Sequence, residues 1–145
     1  MADIERTATA VWTGDLRRGK GSVRSASGAL QDAPYTFATR FQSAPGTNPE
    51  ELLAAAQAAC YSMAFAHLLA SRGHVPEEVA TEAICHVTPV SGGYRITRMR
   101  LHARVRVSGL DGDALSALAH EAEQSCPVAN ALRPGMQIDV EASLA

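Results

Sequence analysis

Aromatic residues are scarce in this chain, at 5% of 145 residues, and cysteines number only three. Those cysteines, Cys60, Cys85 and Cys126, are odd in number and far apart, which is not the framework of a secreted disulfide scaffold. Each thiol is therefore core filler, a metal ligand or a reactive group. Charge of neither sign predominates: the net value of −2 gives no general argument for a nucleic acid or an anionic membrane as partner. The longest apolar stretch, Leu52 to Ala66, is interrupted by Gln57 and Ser62 and is too short to span a bilayer. The first residues, Met1-Ala-Asp-Ile-Glu-Arg6, carry neither a basic nor an apolar leader segment, so a cytoplasmic location is expected. Cys-x-x-Cys is absent, as is a pair of histidines four apart on a helix. Cys85 and His86 are adjacent in a strand pattern and point to opposite faces, so they do not easily share an ion. A nucleophile elbow is lacking, and Gly14-Asp-Leu-Arg-Arg-Gly19 is not followed by the helical pattern of a phosphate loop. Repeats, linkers and low-complexity tracts are missing too, and the length suits a single domain over 1–145.

What is present is organised around residues 46–72. Asn48 is a good N-cap, and Pro49 suits the first helical position because its missing N–H would be an orphan there anyway. Glu51 falls where it can complete a capping box, and Glu50 and Glu51 both complement the positive end of the helix dipole. Ala and Leu dominate the body, and Gly73 stands at the C′ position. Leu53, Ala56, Cys60, Met63 and His67 recur at spacings of three and four, which puts Cys60 on the apolar face. Alanines widen that face almost to a cylinder, and one small sheet covers only one side. Burial within a homodimer is the simplest solution.

Around this helix the pattern is β-β-β-α-β-β-α-α-β, an α+β plan. Strands are expected at 4–12 and 20–30, joined by a turn from Gly14 to Gly19 that carries Arg17 and Arg18. Tyr35 to Gln42 alternates as a third strand, with Tyr35, Phe37, Thr39 and Phe41 on one face and Arg40 on the other. Residues 79–90 and 94–107 form a hairpin around Ser91-Gly-Gly93. The second of these strands places Arg98, Arg100, His102, Arg104 and Arg106 opposite Met99, Leu101, Ala103, Val105 and Val107. With no interleaved aromatic and an acidic chain overall, the basic stripe reads as a solvated face and not as a nucleic-acid groove. A second helix spans 111–125, a short one begins at Pro127, and Met136 to Ser143 closes the plan as an edge-like strand.

Taken alone, Cys60 reads more readily as buried filler than as a nucleophile. Cys126 changes that reading. It precedes Pro127 and so falls at or beside a helix N-cap, where Ser, Asp or Asn would serve better structurally and where amide groups favour a thiolate. A buried thiol needs a cation to ionise, and Arg40, Arg17 and Arg18 are the candidates. Glu50 could orient such an arginine through a bidentate pair. Cys85, among Ile84 and Val87, reads as core.

Five stretches resemble the OsmC/Ohr family of osmotically inducible and organic hydroperoxide resistance proteins, nearer its OsmC branch. They are Trp12-Thr-Gly-Asp-Leu-Arg-Arg-Gly-Lys-Gly21, Tyr35-Thr-Phe-Ala-Thr-Arg-Phe41, Gly46-Thr-Asn-Pro-Glu-Glu-Leu-Leu53, Ala58-Ala-Cys-Tyr-Ser-Met63 and Cys126-Pro-Val128. The resemblance implies a two-cysteine peroxidase without a prosthetic group, built as an intertwined homodimer. It acts on organic hydroperoxides, and more weakly on hydrogen peroxide, and an external thiol or dithiol returns it to the reduced form. By motif, Cys60 resembles the peroxidatic cysteine, Cys126 the resolving one, Arg40 the catalytic arginine and Glu50 the acid that positions it, with Arg18 as the alternative arginine. The competing expectation is a non-catalytic dimeric stress protein that binds a small apolar ligand.

Overall fold

Tight turns set the register of the first fifty residues. In the computed structural model, which describes residues 1–145, the chain divides into two compact units, 1–52 and 53–145. The first unit holds an antiparallel sheet in which β1 (Ala8–Thr13) pairs with β2 (Lys20–Ser25), and β2 pairs with β3 (Ala33–Tyr35). The Asp15 carboxylate caps the β1–β2 turn by accepting from the Arg17 and Arg18 amides at 2.9 Å each. Gly21 lets β2 pass under Tyr35, whose ring would lie 2.5 Å from an added Cβ.

The strand expected over Tyr35–Gln42 is not formed. The strand ends at Tyr35, and α1 (Phe37–Phe41) follows it, so the order gains a helix: β-β-β-α-α-β-β-α-α-β. Thr36 explains this. Its hydroxyl accepts from the Thr39 amide at 3.2 Å, while the Thr39 hydroxyl accepts from the Thr36 amide at 2.8 Å. Two orphan donors of a helix start are thus satisfied reciprocally, and this outweighs the alternating pattern. The two remaining strand ranges also run shorter than expected, β1 beginning at Ala8 and β2 ending at Ser25.

Helix α2 (Pro49–Ser71) starts in the first unit and runs into the second. The Asn48 side chain accepts from the Glu51 amide at 2.8 Å, as a helix N-cap should, and the Glu51 carboxylate turns to the Thr47 hydroxyl at 3.0 Å. At the other end, Gly73 takes a φ of 86°. The His74 amide reaches the Leu69 carbonyl at 2.9 Å and the Gly73 amide reaches Ala70 at 3.0 Å. This is a Schellman closure, which requires the left-handed residue that glycine supplies.

The second unit packs α2 residues beyond Leu52 against a mixed sheet of β4 (Glu78–Val90), β5 (Gly93–Arg106) and β6 (Gln137–Leu144), in that order. β4 and β5 are antiparallel and close at Val90↔Gly93, while β6 joins β5 in parallel at the edge. Met99, Leu101, Ala103 and Val105 are buried, as their alternation predicts. On the opposite face the basic stripe is answered by acids: Arg98 pairs with Asp139, His102 with Glu141, and Arg106 with Glu77 and Glu78. Helix α3 (Gly112–Ser125), capped by Asp111, buries Leu115, Ala119 and Ala122, and α4 (Pro127–Leu132) follows directly.

The inward stripe of α2 differs from the one expected. Gln57, Tyr61, Phe65 and Leu69 are fully buried, whereas Ala56, Met63 and His67 are exposed and Cys60 lies half-buried on the flank between the two faces. A helix apolar on all sides carries no moment to choose its inward face; the bulk of the two aromatic rings decides it. At 23 residues α2 is also longer than its apolar run implied, and by length and composition it could cross a membrane. Its Tyr61, Phe65 and Leu69 instead belong to the core cluster of the second unit.

Candidate functional site

Within residues 1–52, α1 and the start of α2 bring Arg40 to Glu50. The Arg40 Nε donates to the two Glu50 carboxylate oxygens at 3.1 and 3.2 Å, and its Nη2 donates to Oε1 at 2.6 Å. The Glu50 side chain is only 7% exposed and that of Arg40 35%, so the buried carboxylate is paired by a guanidinium that reaches it through a fork. The geometry rests on local bonds. The Asn48 side-chain Nδ2 donates to the Thr39 carbonyl at 3.1 Å, and the Thr47 backbone amide to the Pro34 carbonyl at 3.1 Å. Gly46 is needed between them, because a Cβ there would meet Thr39 at 2.7 Å and the Pro34 carbonyl at 2.9 Å. The Arg40 guanidinium also lies 5.0 Å from the Phe41 ring centre, within cation–π range. A cavity of about 250 Å³ opens beside it, walled by Trp12, Leu16, Tyr35, Phe37 and Phe41. Arg17, in the early turn, rests its guanidinium 5.3 Å from the Phe37 ring, and Arg18 is held through its amide by Asp15.

Within residues 53–145, Cys60 and Cys126 come together. Cys126 is at once the C-cap of α3 and the N-cap of α4, in an extended conformation (φ −75°, ψ 117°) that the following proline favours. The elements on either side are clamped. Arg133, at the end of α4, forms an ion pair with the nearly buried Glu123 of α3 and donates to its backbone carbonyl at 3.2 Å. The Cys126 thiol is fully buried and within hydrogen-bonding reach of Cys60. Burial pushes the Cys126 thiol above its ordinary value. The Ala129 and Val128 amides of α4 pull it down and the neighbouring Cys60 adds to the rise, leaving the net direction upward. The helix start thus does not make Cys126 a thiolate, as its position alone implied, because desolvation outweighs the amides.

Two neighbours were not singled out from sequence. Gln57 is fully buried and its Nε2 donates to the Cys126 sulfur at 3.5 Å, while its Oε1 has no partner. Tyr61 donates to the Ala119 carbonyl at 2.9 Å, and its phenol is pushed up by burial and by the nearby Glu123 and Cys126. Their signal in the sequence is the four-residue step Gln57, Tyr61, Phe65, Leu69, with a polar side chain at one end of an otherwise apolar stripe. Cys85 lies opposite Met99 in the β4–β5 register and packs against the core, away from the facing side of His86.

Residues 42–141 match the family described as OsmC-like protein. Peroxiredoxin OsmC of Escherichia coli (strain K12) is 39% identical over 138 residues, 95% of this chain and 96% of that protein. An organic hydroperoxide resistance protein of Xanthomonas axonopodis pv. citri is 37% identical over 101 residues, 69% of this chain and 68% of that one. Among solved structures, the organic hydroperoxide resistance protein OhrB of Bacillus subtilis aligns with a TM-score of 0.74 at 25% identity, covering 94% of this chain and 98% of that one. Sequence and fold agree: the chain belongs to the OsmC-like protein family.

Proposed function

We propose that the protein is a two-cysteine peroxidase that reduces organic hydroperoxides, and hydrogen peroxide more weakly, to alcohols or water. The approach of Cys60 to Cys126, distant in sequence and joined through the α2 flank and the α3–α4 corner, is the observation that carries this reading. In the first half-reaction the Cys60 thiolate attacks the distal oxygen of ROOH. The O–O bond breaks, the alkoxide takes a proton and leaves as ROH, and Cys60 becomes a sulfenic acid. Arg40, aligned by Glu50, is the cation that favours thiolate and stabilises charge developing on the leaving oxygen, with Arg18 as the alternative. In the second half-reaction Cys126 attacks the sulfenic sulfur; an S–S bond forms, the S–O bond breaks, and hydroxyl plus the thiol proton leave as water. A buried, protonated Cys126 suits this role, since it brings the proton with it. An external dithiol then reduces the disulfide, and no prosthetic group enters.

The names borne by the relatives, a peroxiredoxin and a hydroperoxide resistance protein, support the reaction class. A preference for organic over hydrogen peroxide would follow from apolar side chains around the reacting thiol, each buried methylene favouring an alkyl hydroperoxide by about 0.8 kcal/mol. A homodimer belongs to the same proposal, supported by the exposed apolar side chains of α2 and the first unit, Met63 (75%), Val11 and Leu16 among them. The cavity also suits a non-catalytic module holding a small apolar ligand. Steady-state assays decide between the two, with cumene hydroperoxide and hydrogen peroxide as substrates and several dithiols as reductant. The proposal expects dithiol-dependent turnover, faster with the organic peroxide and abolished in Cys60→Ser. No turnover with any dithiol, together with saturable retention of the peroxide's alcohol, would favour the binding module.

A further inference from the structure

Gln57 is a buried carboxamide with half of its hydrogen-bonding capacity unused. Its Nε2 points at the Cys126 sulfur 3.5 Å away, and its Oε1 is shielded from solvent without a donor. Buried polar atoms left unpaired are rare because each forfeits the hydrogen bonds it had with water. Exchanging the amide's oxygen and nitrogen does not remove the anomaly: the thiol then donates to Oε1, and the NH₂ group is the one left over. One turn of α2 places Cys60 three residues after Gln57, on the adjoining side of the same helix, and Cys60 itself reaches Cys126. The amide, the attacking thiol and the thiol that becomes a sulfenic acid therefore form a triangle. The unpartnered oxygen thus belongs to a side chain that already touches Cys126, one helical turn from the sulfur that gains the O–H.

Resting on the peroxidase reading, we propose that Gln57 is a positioning residue for disulfide formation: its Oε1 accepts from the sulfenic hydroxyl on Cys60 while its Nε2 donates to the Cys126 sulfur. The acceptor fixes the rotation of the hydroxyl, so that an oxygen lone pair faces the Cys126 thiol. The donor supports negative charge on that sulfur as its proton passes to the hydroxyl. The sulfur then attacks the Cys60 sulfur, the S–S bond forms, the S–O bond breaks and water departs. Nothing beyond the hydroperoxide of the first half-reaction is consumed. The orphan atom of the reduced protein is, on this view, the acceptor of the oxidised intermediate.

The test is a single-turnover experiment with one equivalent of cumene hydroperoxide on the full chain, comparing wild type, Gln57→Leu, Gln57→Met and Gln57→Glu. Intact-mass spectrometry without reductant counts disulfide against sulfenic and sulfinic acid, and stopped flow gives the rate of each half-reaction. Loss of the amide should shift the partition away from disulfide by about tenfold, the worth of one such bond. It should also move the pH profile of the disulfide-forming step to higher pH in Gln57→Leu and Gln57→Met, because the sulfur loses its donor. Gln57→Glu, which keeps the shape but places a carboxylate beside the sulfur, should be slower still near neutral pH. Equal slowing of both half-reactions with an unshifted pH profile would make the amide merely structural and overturn the proposal, as would disulfide formation at the wild-type rate. A wild-type protein that consumes no peroxide would overturn the peroxidase reading itself, and that outcome is visible before any variant is made.

Discussion

If Arg40 and Glu50 serve the Cys60 thiolate as proposed, the carboxylate by itself would hinder that thiolate, so Glu50 would help only by holding a guanidinium whose charge outweighs its own. The fork between them makes the pair one unit. Arg40→Met should slow the reaction with cumene hydroperoxide by roughly 10²–10³, the loss expected for one charge-stabilising donor. Arg40→Lys should restore little, because a compact ammonium cannot bridge in two directions. Glu50→Gln should slow the reaction less, and the double variant should be barely worse than Arg40→Met, as residues acting together are not additive. Stopped-flow second-order rates measure this; a wild-type rate in Arg40→Met with a slow Arg18→Met would move the role to the early turn. The raised thiol of Cys126 makes a separate prediction about stability. The folded protein keeps a proton that the unfolded chain releases above about pH 8.5, so the native state binds more protons there. That contribution is complete below the unfolded value and is lost as pH rises through the folded one; buried Tyr61 acts in the same direction above about pH 10. Urea midpoints should fall from about pH 8 to pH 10, and less steeply in Cys126→Ser. An identical slope in the variant would contradict it.

The corner between α3 and α4 is the element that presents Cys126, and one ion pair spans it. Glu123 is 8% exposed and Arg133 36%, so removing the arginine strands a nearly buried carboxylate. Arg133→Met should cost about 1–3 kcal/mol, less than a fully buried pair because water screens the guanidinium. Arg133→Met with Glu123→Gln together should recover part of that loss. Chemical denaturation of the four proteins of this cycle measures it, and additive losses would show that the two do not couple. Elements of this kind were legible where two signals coincided. Asn48-Pro49 with Gly73 marks both ends of α2, and the alternation of β5 with a two-residue turn before it marks the β4–β5 hairpin. Tyr35–Gln42 misled because alternation was its only signal, while the decisive interaction is a reciprocal pair of threonine bonds. The inward face of α2 was equally hidden, since an all-apolar helix is oriented by its largest side chains and by what covers them. Gln57 escaped notice for the same reason: its burial depends on which face turns inward.

At the scale of the whole molecule, α2 leaves Met63 and neighbouring small residues facing solvent, the surface that the proposed homodimer would cover. A homodimer closed over this face should sediment as twice the chain mass, and Met63→Glu should shift it toward monomer while the isolated chain keeps its helix content. A wild-type monomer at micromolar concentration would remove the dimer from the proposal. The central claim is that Cys60 and Cys126 form one redox couple. The direct measurement is a thiol titration before and after one equivalent of cumene hydroperoxide, followed by non-reducing peptide mass spectrometry. The loss of two thiols per chain with a Cys60–Cys126 disulfide is the predicted result; unchanged thiols, or a disulfide joining Cys60 to Cys85, would contradict it.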